Sequence, residues 1–427
     1  MTNANHFGFM PGNDAEQNAL ALQKAVDMGG EIHVCQPGIY DISEPIEIGD
    51  DTTLIFEDGV TIRRQESRTG KNGNAFINKG AFSHTRNYNI KLIGLKLICN
   101  DVESEGFGIT SRYVGLRAQV AFIYITNLEV RNYECTGLLA KDMGIQLGAF
   151  ENVLLEDLYI TGNKDGIHLG WGKNFVIRRA RLCTYDDPIA LNAYDYSVSN
   201  THVGWIENGL IEDCYDLNAE STTGYFCRLL GGAWGNWYEG MMVHHSDTVV
   251  HNGRIYRVVM NPTDSKLYPS FTPPTHEMGV QVYDGINWVC TQEATFCDTG
   301  CRNITFRNIH LQKKRGTAFG IDLDMGSYVR SYYPGSHPIP QENLTFENIF
   351  VENELIHLIY ANYPVQNISL RNVHLGNSDI HFTSYPAEAI EYPEIRVQVA
   401  NVPGYEEKIT VSGRCSVDVS AENKHCE

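Results

Sequence analysis

Positive charge is scarce in this chain. Lys and Arg number 33 against 52 Asp and Glu, a formal charge of −19. A surface that acidic repels nucleic acid and anionic membranes, so neither is expected as a partner. Long apolar runs are missing too: no window approaches the ~18 residues of a membrane span. The opening MTNANHFGFMPGNDAEQ has no basic stretch leading into an apolar run and does not read as a signal peptide. There is no Gly-rich phosphate loop, dinucleotide fingerprint or Gly-x-Ser-x-Gly elbow, so no cofactor is expected. Cysteines number 11, an odd count scattered singly through apolar stretches (Cys35, Cys99, Cys135, Cys183, Cys214). That pattern points to reduced, buried thiols in a cytoplasmic protein, or in a secreted one if an export signal was trimmed. His244-His245, and Cys297 with Cys301, lack a second matched pair, so no metal is expected either.

Glycine and tyrosine are abundant, at 39 and 23 residues in a chain of 427 that is 42% hydrophobic. This favours a large, turn-rich, strand-rich core. One helix opens the chain: DAEQNALALQKAVDMGG, with Asn13 or Asp14 as N-cap. It has an apolar stripe of Leu20, Leu22, Ala25 and Val26 and a stop at Gly29-Gly30. Short strands follow, punctuated by Pro-Gly and Asp-Gly.

Then a pattern repeats. ITNLEVRNYEC, FENVLLEDLYI, GKNFVIRRARLC, IENGLIEDCYD, CRNITFRNIHL, QENLTFENIFV and VQNISLRNVHL each place Asn before alternating apolar residues. A second polar residue usually comes five positions on. Asn127 to Asn152 is 25 residues, Asn152 to Asn174 is 22 and Asn343 to Asn367 is 24. A period in the twenties with strand alternation is a solenoid signal, and the register of a leucine-rich repeat is missing. The expected fold is all-β: a right-handed parallel β-helix whose N-terminal helix covers the first coil's bare edge. Asn303, Asn343 and Asn367 match a glycosylation pattern but share one place in the repeat, so they read as stacked turn residues.

Residues 234–297 break the period. They are aromatic-rich and hairpin-like, turning at Asn252-Gly253. The expected organisation is β-helix over 1–233, an inserted β-module over 234–297, and β-helix again over 298–427. The insert resembles small aromatic-rich modules of chitin-binding domains and phage tail proteins, most at PTHEMG and DGINW. Trp237, Tyr238, Tyr256, Tyr283 and Trp288 could form a sugar platform, but a module this small needs at least half of them as core.

Three carboxylates carry the chemistry. Asp165 precedes Asp186 by 21 residues and Asp187 by 22, one coil of the repeat. Neighbouring coils lie ~4.8 Å apart, so Asp165 is expected below the Asp186–Asp187 pair. Crowded carboxylates cannot all ionise easily, and one should hold its proton. A lone Asp-Gly is usually a turn, as expected at Asp58-Gly59 and Asp284-Gly285. Three at coil spacing suit glycoside hydrolysis, with one acid and one or two carboxylates on a water. A separation of ~6.5–9.5 Å is expected for inversion of configuration.

NKDG followed by YDDPIAL resembles the Asn-Thr-Asp and Gly-Asp-Asp motifs of the polygalacturonase family of glycoside hydrolases (family 28). The opening helix, PGIYDI and TTLIFEDGVTI are similar to that family's N-terminal cap. The resemblance implies metal-free inverting hydrolysis, with Asp186 as general acid and Asp165 and Asp187 holding water. GYFCRLLGG resembles the stretch around the family's Arg-Ile-Lys motif and implies Arg228 in the substrate subsite. Leu230 stands where that motif has Lys, which argues against a uronate such as galacturonan. The family's Gly-His-Gly motif is missing, and Pro188 directly after the pair is unusual.

Other candidates surround the cluster. His168 could line the cleft or be a satisfied core histidine. Asn192, Tyr194 and Asp195 could meet sugar hydroxyls or form a turn. Trp171 and Trp205 could stack on a sugar, although core packing is their commoner fate. Lys313-Lys314-Arg315 reads as a solvated turn. The expected partner is a poly- or oligosaccharide. A uronate-specific polysaccharide lyase and a non-catalytic, tail-spike-like glycan binder remain alternatives, because β-helices host all three.

Overall fold

In the computed structural model, residues 2–67, 73–100, 102, 115–139, 141–198, 202–219, 222–263 and 265–421 are described. The architecture is a right-handed parallel β-helix, the hand that right-twisted strands impose on parallel crossovers. Each coil contributes to three parallel ladders. One coil runs through Ile145–Leu147, turns into Phe150–Glu156, turns again into Leu158–Gly162, and reaches Ile167–Leu169 directly beside its start. Every second residue points inward. Ile32, Leu54, Leu92, Val130, Leu155 and Ile177 thus form one register column, and all six are fully buried.

The corners explain the repeat. Asn89, Asn127, Asn152, Asn174, Asn208, Asn303, Asn343 and Asn367 all have φ of 57–60°. Asparagine tolerates this left-handed conformation better than other residues with a Cβ. From Asn127 on, each amide nitrogen donates to the Asn oxygen of the preceding coil at 2.8–3.2 Å. The polar residue five positions on marks the second corner: Asn132, Asp157, Arg179, Asp213, Asn308, Asn348 and Asn372 have φ of 51–57°. Arg179 departs from the amide pattern, yet its Nε donates to Asp157 Oδ1 at 2.7 Å, so an ion pair continues the stack. The three Asn residues with a glycosylation pattern belong to the first ladder, as the repeat implied.

The helix Ala15–Val26 packs on Gly38–Ile42 and Ile46–Ile48. Asp14 is the N-cap, and its carboxylate accepts from Glu16 N at 3.0 Å. Leu22, Ala25 and Val26 face the coil, but Leu20 is 58% exposed. The buried stripe runs through Ala19, Ala21 and Asn18 instead. Asn18 substitutes for an apolar residue because its Oδ1 accepts from Met10 N at 3.1 Å.

The chain leaves the coil after Cys227–Leu230 and returns at Cys301–Leu311. Gly232 and Ala233 pair antiparallel with Thr299 and Asp298 at the base of the excursion. It folds as a five-stranded sheet, including the hairpin that turns at Asn252-Gly253, plus a two-stranded ribbon. Trp288 and Tyr256 are fully buried, Trp237 and Tyr283 pack against them, and Tyr238 is 55% exposed. Asp58-Gly59 and Asp284-Gly285 are turns.

Two further expectations need correction. Lys313 and Arg315 do not flank a solvated turn. Both are buried, and Arg315 grips Asp216 with Nε–Oδ2 of 2.6 Å and Nη2–Oδ1 of 3.1 Å. Only Lys314 of that run faces outward. Among the ten described cysteines, all unpaired, Cys35 is exposed and Cys183 half-buried. Their strands are apolar, but these two positions fall on the outward side of the coil.

The corner stack makes a test. Asn152→Ala forces alanine into the left-handed region and removes two ladder bonds, at a cost of about 1–2 kcal/mol. Asn152→Gly loses the bonds but keeps the conformation. Thermal unfolding should therefore rank native, Gly and Ala in falling Tm. Equal Tm for the two variants would mean that the amide bonds, not the backbone conformation, dominate.

Candidate active site

Coil register assembles the carboxylates. Ile167 pairs with Ile189, and Gly166 N donates to Asp187 O at 3.0 Å. Asp165 therefore lies under Asp187, and Lys164 lies under Asp186. One oxygen from each of Asp165, Asp186 and Asp187 falls within 4.8 Å of the others. The coil register brings the three together as expected. A nearest-oxygen distance of this size suits a single water donating to two carboxylates through bonds of ~2.8 Å.

Two glycines permit the crowding. A Cβ on Gly166 would press on Pro188 O at 2.7 Å, so the residue after Asp165 serves close coil approach rather than a turn. Gly224, with φ +66°, brings the next coil's backbone onto the pair, where a Cβ would collide with carboxylate oxygens of both Asp186 and Asp187. The adjacent Tyr225 N donates to Asp187 Oδ1 at 2.7 Å. Pro188 is accommodated because its carbonyl accepts from Ile167 N at 2.9 Å.

Lys164 is one residue that sequence reasoning missed. Its Nζ is ion-paired with Asp186 Oδ2 and lies 3.2 Å from Asp165 Oδ1. Burial alone would lower its pKa; Asp165 and Asp186 outweigh that and raise it. The three carboxylates could ligate a hard cation, but this ammonium already supplies the compensating charge between two of them. Its position in NKDG was visible in the sequence as the departure from Asn-Thr-Asp, without any sign that it would turn inward.

The three acids sit in unequal fields. Asp187 is raised to about 7 by burial and then by the charges of Asp186 and Asp165. Burial would raise Asp165 as well, but Lys164 and His168 hold it well below the usual carboxylate range. Asp186 is the most open of the three, its side chain 22% exposed.

His168 and Asp195 were expected near substrate, and the structure buries them behind Asp165. Both are 1% exposed, hardly less than Asp165 itself at 2%. His168 Nδ1 meets Asp165 Oδ2 at 2.7 Å. Its Nε2 is 2.9 Å from Asp195 Oδ2, close enough for an ion pair but off the line of a hydrogen bond. Burial opposes the charge on His168, yet Asp195 and Asp165 raise it to about 9. Arg257, from the inserted module, donates to the Asp195 carbonyl, so the insert buttresses this layer.

Arg228 stands one coil above Ala190 and two above His168 in the same column. Its Nη2 binds Asp324 and its Nε lies 3.9 Å from Asp322. Asp322 is raised to about 6 by burial, with Arg228 opposing. Neither aspartate was anticipated, because they lie more than ninety residues after Arg228, on the far side of the insert. Asn192 is 4% exposed, its Oδ1 without a hydrogen-bond partner. Leu230 pairs with Asn192 in the ladder and is fully buried. Trp205 is half-buried: its Nε1 donates to Asp298 at 3.0 Å and Arg302 lies over one face of its ring at 5.0 Å. The Trp171 indole lies against Gly204. His244 and His245 are buried and bonded to backbone groups.

No family model matches the chain, and no curated protein does. Solved structures resemble it in fold. Pre-mature bacteriophage phi29 gene product 12 aligns at TM-score 0.50 and 13% identity, over 98% of this chain and 52% of that one. This chain thus spans about half the length of the phage protein. The family 28 exopolygalacturonase of Yersinia enterocolitica aligns at TM-score 0.49 and 14% identity, over 99% and 78%. The endo-xylogalacturonan hydrolase of Aspergillus tubingensis gives 0.43 and 12%, over 96% and 92%.

The raised pKa of Asp187 has a stability consequence. Its folded value, about 7, exceeds the unfolded ~3.9. The native state therefore keeps full stability from this group below pH ~4 and loses it as pH rises toward 7. Asp187→Asn removes that loss. Its Tm advantage over native protein should be larger at pH 8 than at pH 4, by the equivalent of a few kcal/mol at most. An equal difference at both pH values would contradict the protonated state.

Proposed function

We propose that the chain is a glycoside hydrolase acting on a poly- or oligosaccharide. The observation that carries the reading is the juxtaposition of Asp187 and Asp165 on adjacent coils with oxygens within 4.8 Å, in fields that raise Asp187 to about 7 and hold Asp165 well below the usual carboxylate range. One carboxyl is ready to give a proton at neutral pH while its neighbour is ready to accept one, which is what general acid–base cleavage of a glycosidic bond requires. The resemblance of NKDG and YDDPIAL to family 28 motifs supports the same reaction.

The roles differ from those the resemblance implies. Lysine donates and never accepts, so the Asp186 oxygen bonded to Lys164 acts as an acceptor. The donor role is assigned to Asp187, because burial and the charges of Asp186 and Asp165 raise it to about 7, whereas Asp186 rests against the Lys164 ammonium. In this scheme Asp187 gives its proton to the leaving oxygen as the carbon–oxygen bond breaks. Asp165 and Asp186 hold a water and take its proton as the new bond forms. His168 keeps Asp165 oriented and anionic. Arg228, 14% exposed at the side chain and anchored by Asp324 and Asp322, would meet substrate hydroxyls. The buried, apolar Leu230 provides no cation for a uronate, which favours a neutral sugar. Lys164 and Arg228, cations beside the carboxylates, are both held protonated by them, which disfavours a lyase base at either residue.

The test is a screen of the purified chain against oligosaccharides and aryl glycosides, with Asp187→Asn and Asp186→Asn alongside. Product is expected from native protein, with activity falling as pH rises through about 7, where Asp187 loses its proton. Asp187→Asn should lose ~100-fold or more on poor leaving groups, yet recover on dinitrophenyl glycosides, which leave without a proton. Recovery in Asp186→Asn instead would return the donor role to that residue. Glycan binding without product from any variant would favour the adhesive alternative.

A further inference from the structure

A second group of ligating side chains lies on the outer face of the first coils, apart from the carboxylate cluster. Strand Gly30–Val34 alternates, so Glu31, His33 and then Cys35 project to the same outward side. Val34 pairs with Phe56, and Glu57 N donates to Val34 O at 3.0 Å, which sets Glu57 beside Cys35 on the next coil. One donor atom from each of His33, Cys35 and Glu57 lies within 4.8 Å of the others. His33 Nδ1 is 2.8 Å from Glu57 Oε1 and Nε2 is 2.8 Å from Glu31 Oε1. Cys35 is an exposed free thiol.

We propose that His33, Cys35 and Glu57 form a site for a borderline divalent transition ion such as zinc, with Glu31 as the carboxylate that orients the imidazole. The donor set decides the class of ion. A thiolate, an imidazole and a carboxylate suit zinc and its neighbours, whereas magnesium and calcium prefer oxygen alone. Glu31 occupies the place that an outer carboxylate takes behind a metal-bound histidine: it fixes the ring through one nitrogen and turns the other toward the remaining donors. Thiolate and carboxylate together neutralise a doubly charged ion, and a chain of charge −19 draws cations to its surface. All the groups stand on or directly beside ladder-paired strands, so little ordering is needed. Binding sends the thiol proton and the proton shared by Nδ1 and Glu57 to solvent. The fourth tetrahedral position is left to water.

Cobalt(II) is the probe, titrated into the full chain with a phosphine reductant. One equivalent should produce a near-ultraviolet thiolate-to-cobalt band and visible bands of tetrahedral intensity, and added zinc should bleach both. Cys35→Ser and His33→Ala should abolish the thiolate band while circular dichroism and Tm show the fold intact. Asp186→Asn should leave it unchanged, which separates this site from the all-oxygen cluster. A native protein without the thiolate band, or a band that survives Cys35→Ser, would overturn the proposal.

Discussion

Stacking of left-handed corner residues, coil upon coil, is the constraint from which the remaining architecture follows. A chain that must return to positive φ at the same point of each turn, and bond there to its predecessor, has little freedom of register. Asparagine meets both demands, since its side chain tolerates the conformation and its amide is donor and acceptor at once. Where the ladder substitutes Arg179 over Asp157, an ion pair preserves the stack. With the corners pinned, alternation along each strand sends every second side chain inward, and the aliphatic columns fill without any residue needing long-range specification.

Register also concentrates charge. The same pairing that sets Ile167 beside Ile189 sets Asp165 beside Asp187. The crowded carboxylates persist because the surroundings divide them. Lys164 and His168 stabilise the anion of Asp165, the Tyr225 amide holds Asp187, and Gly224 lets backbone approach where any side chain would collide. Beneath them the path from Asp165 through His168 to Asp195 ends on Arg257 of the inserted module. The insert thus touches the layer that supports the acids, although it supplies none of them.

Much of this was legible in the order of residues. A helix capped by Asp14, a repeat in the twenties, stacked Asn turns and three aspartates one coil apart depend on local chemistry and fixed spacing, which a linear reading captures. What escaped it depended on direction and distance. Leu20 faces solvent because the capping helix presents Asn18, Ala19 and Ala21 to the coil. Lys313 and Arg315 turn inward to Asp216, about a hundred residues earlier, so their run of charge was misleading. His168 and Asp195 lie near the acids as expected, but buried.

The sequence by itself determined the solenoid and the coincidence of the three aspartates, because a repeat with ladder pairing converts spacing along the chain directly into height along the helix. Only the tertiary structure decided which carboxyl keeps its proton. That depends on which charges and amides converge from other coils, on how deeply each oxygen is buried, and on Lys164 reaching Asp186 across the interval between two turns. Spacing determines who the neighbours are; the field they create depends on where each side chain points.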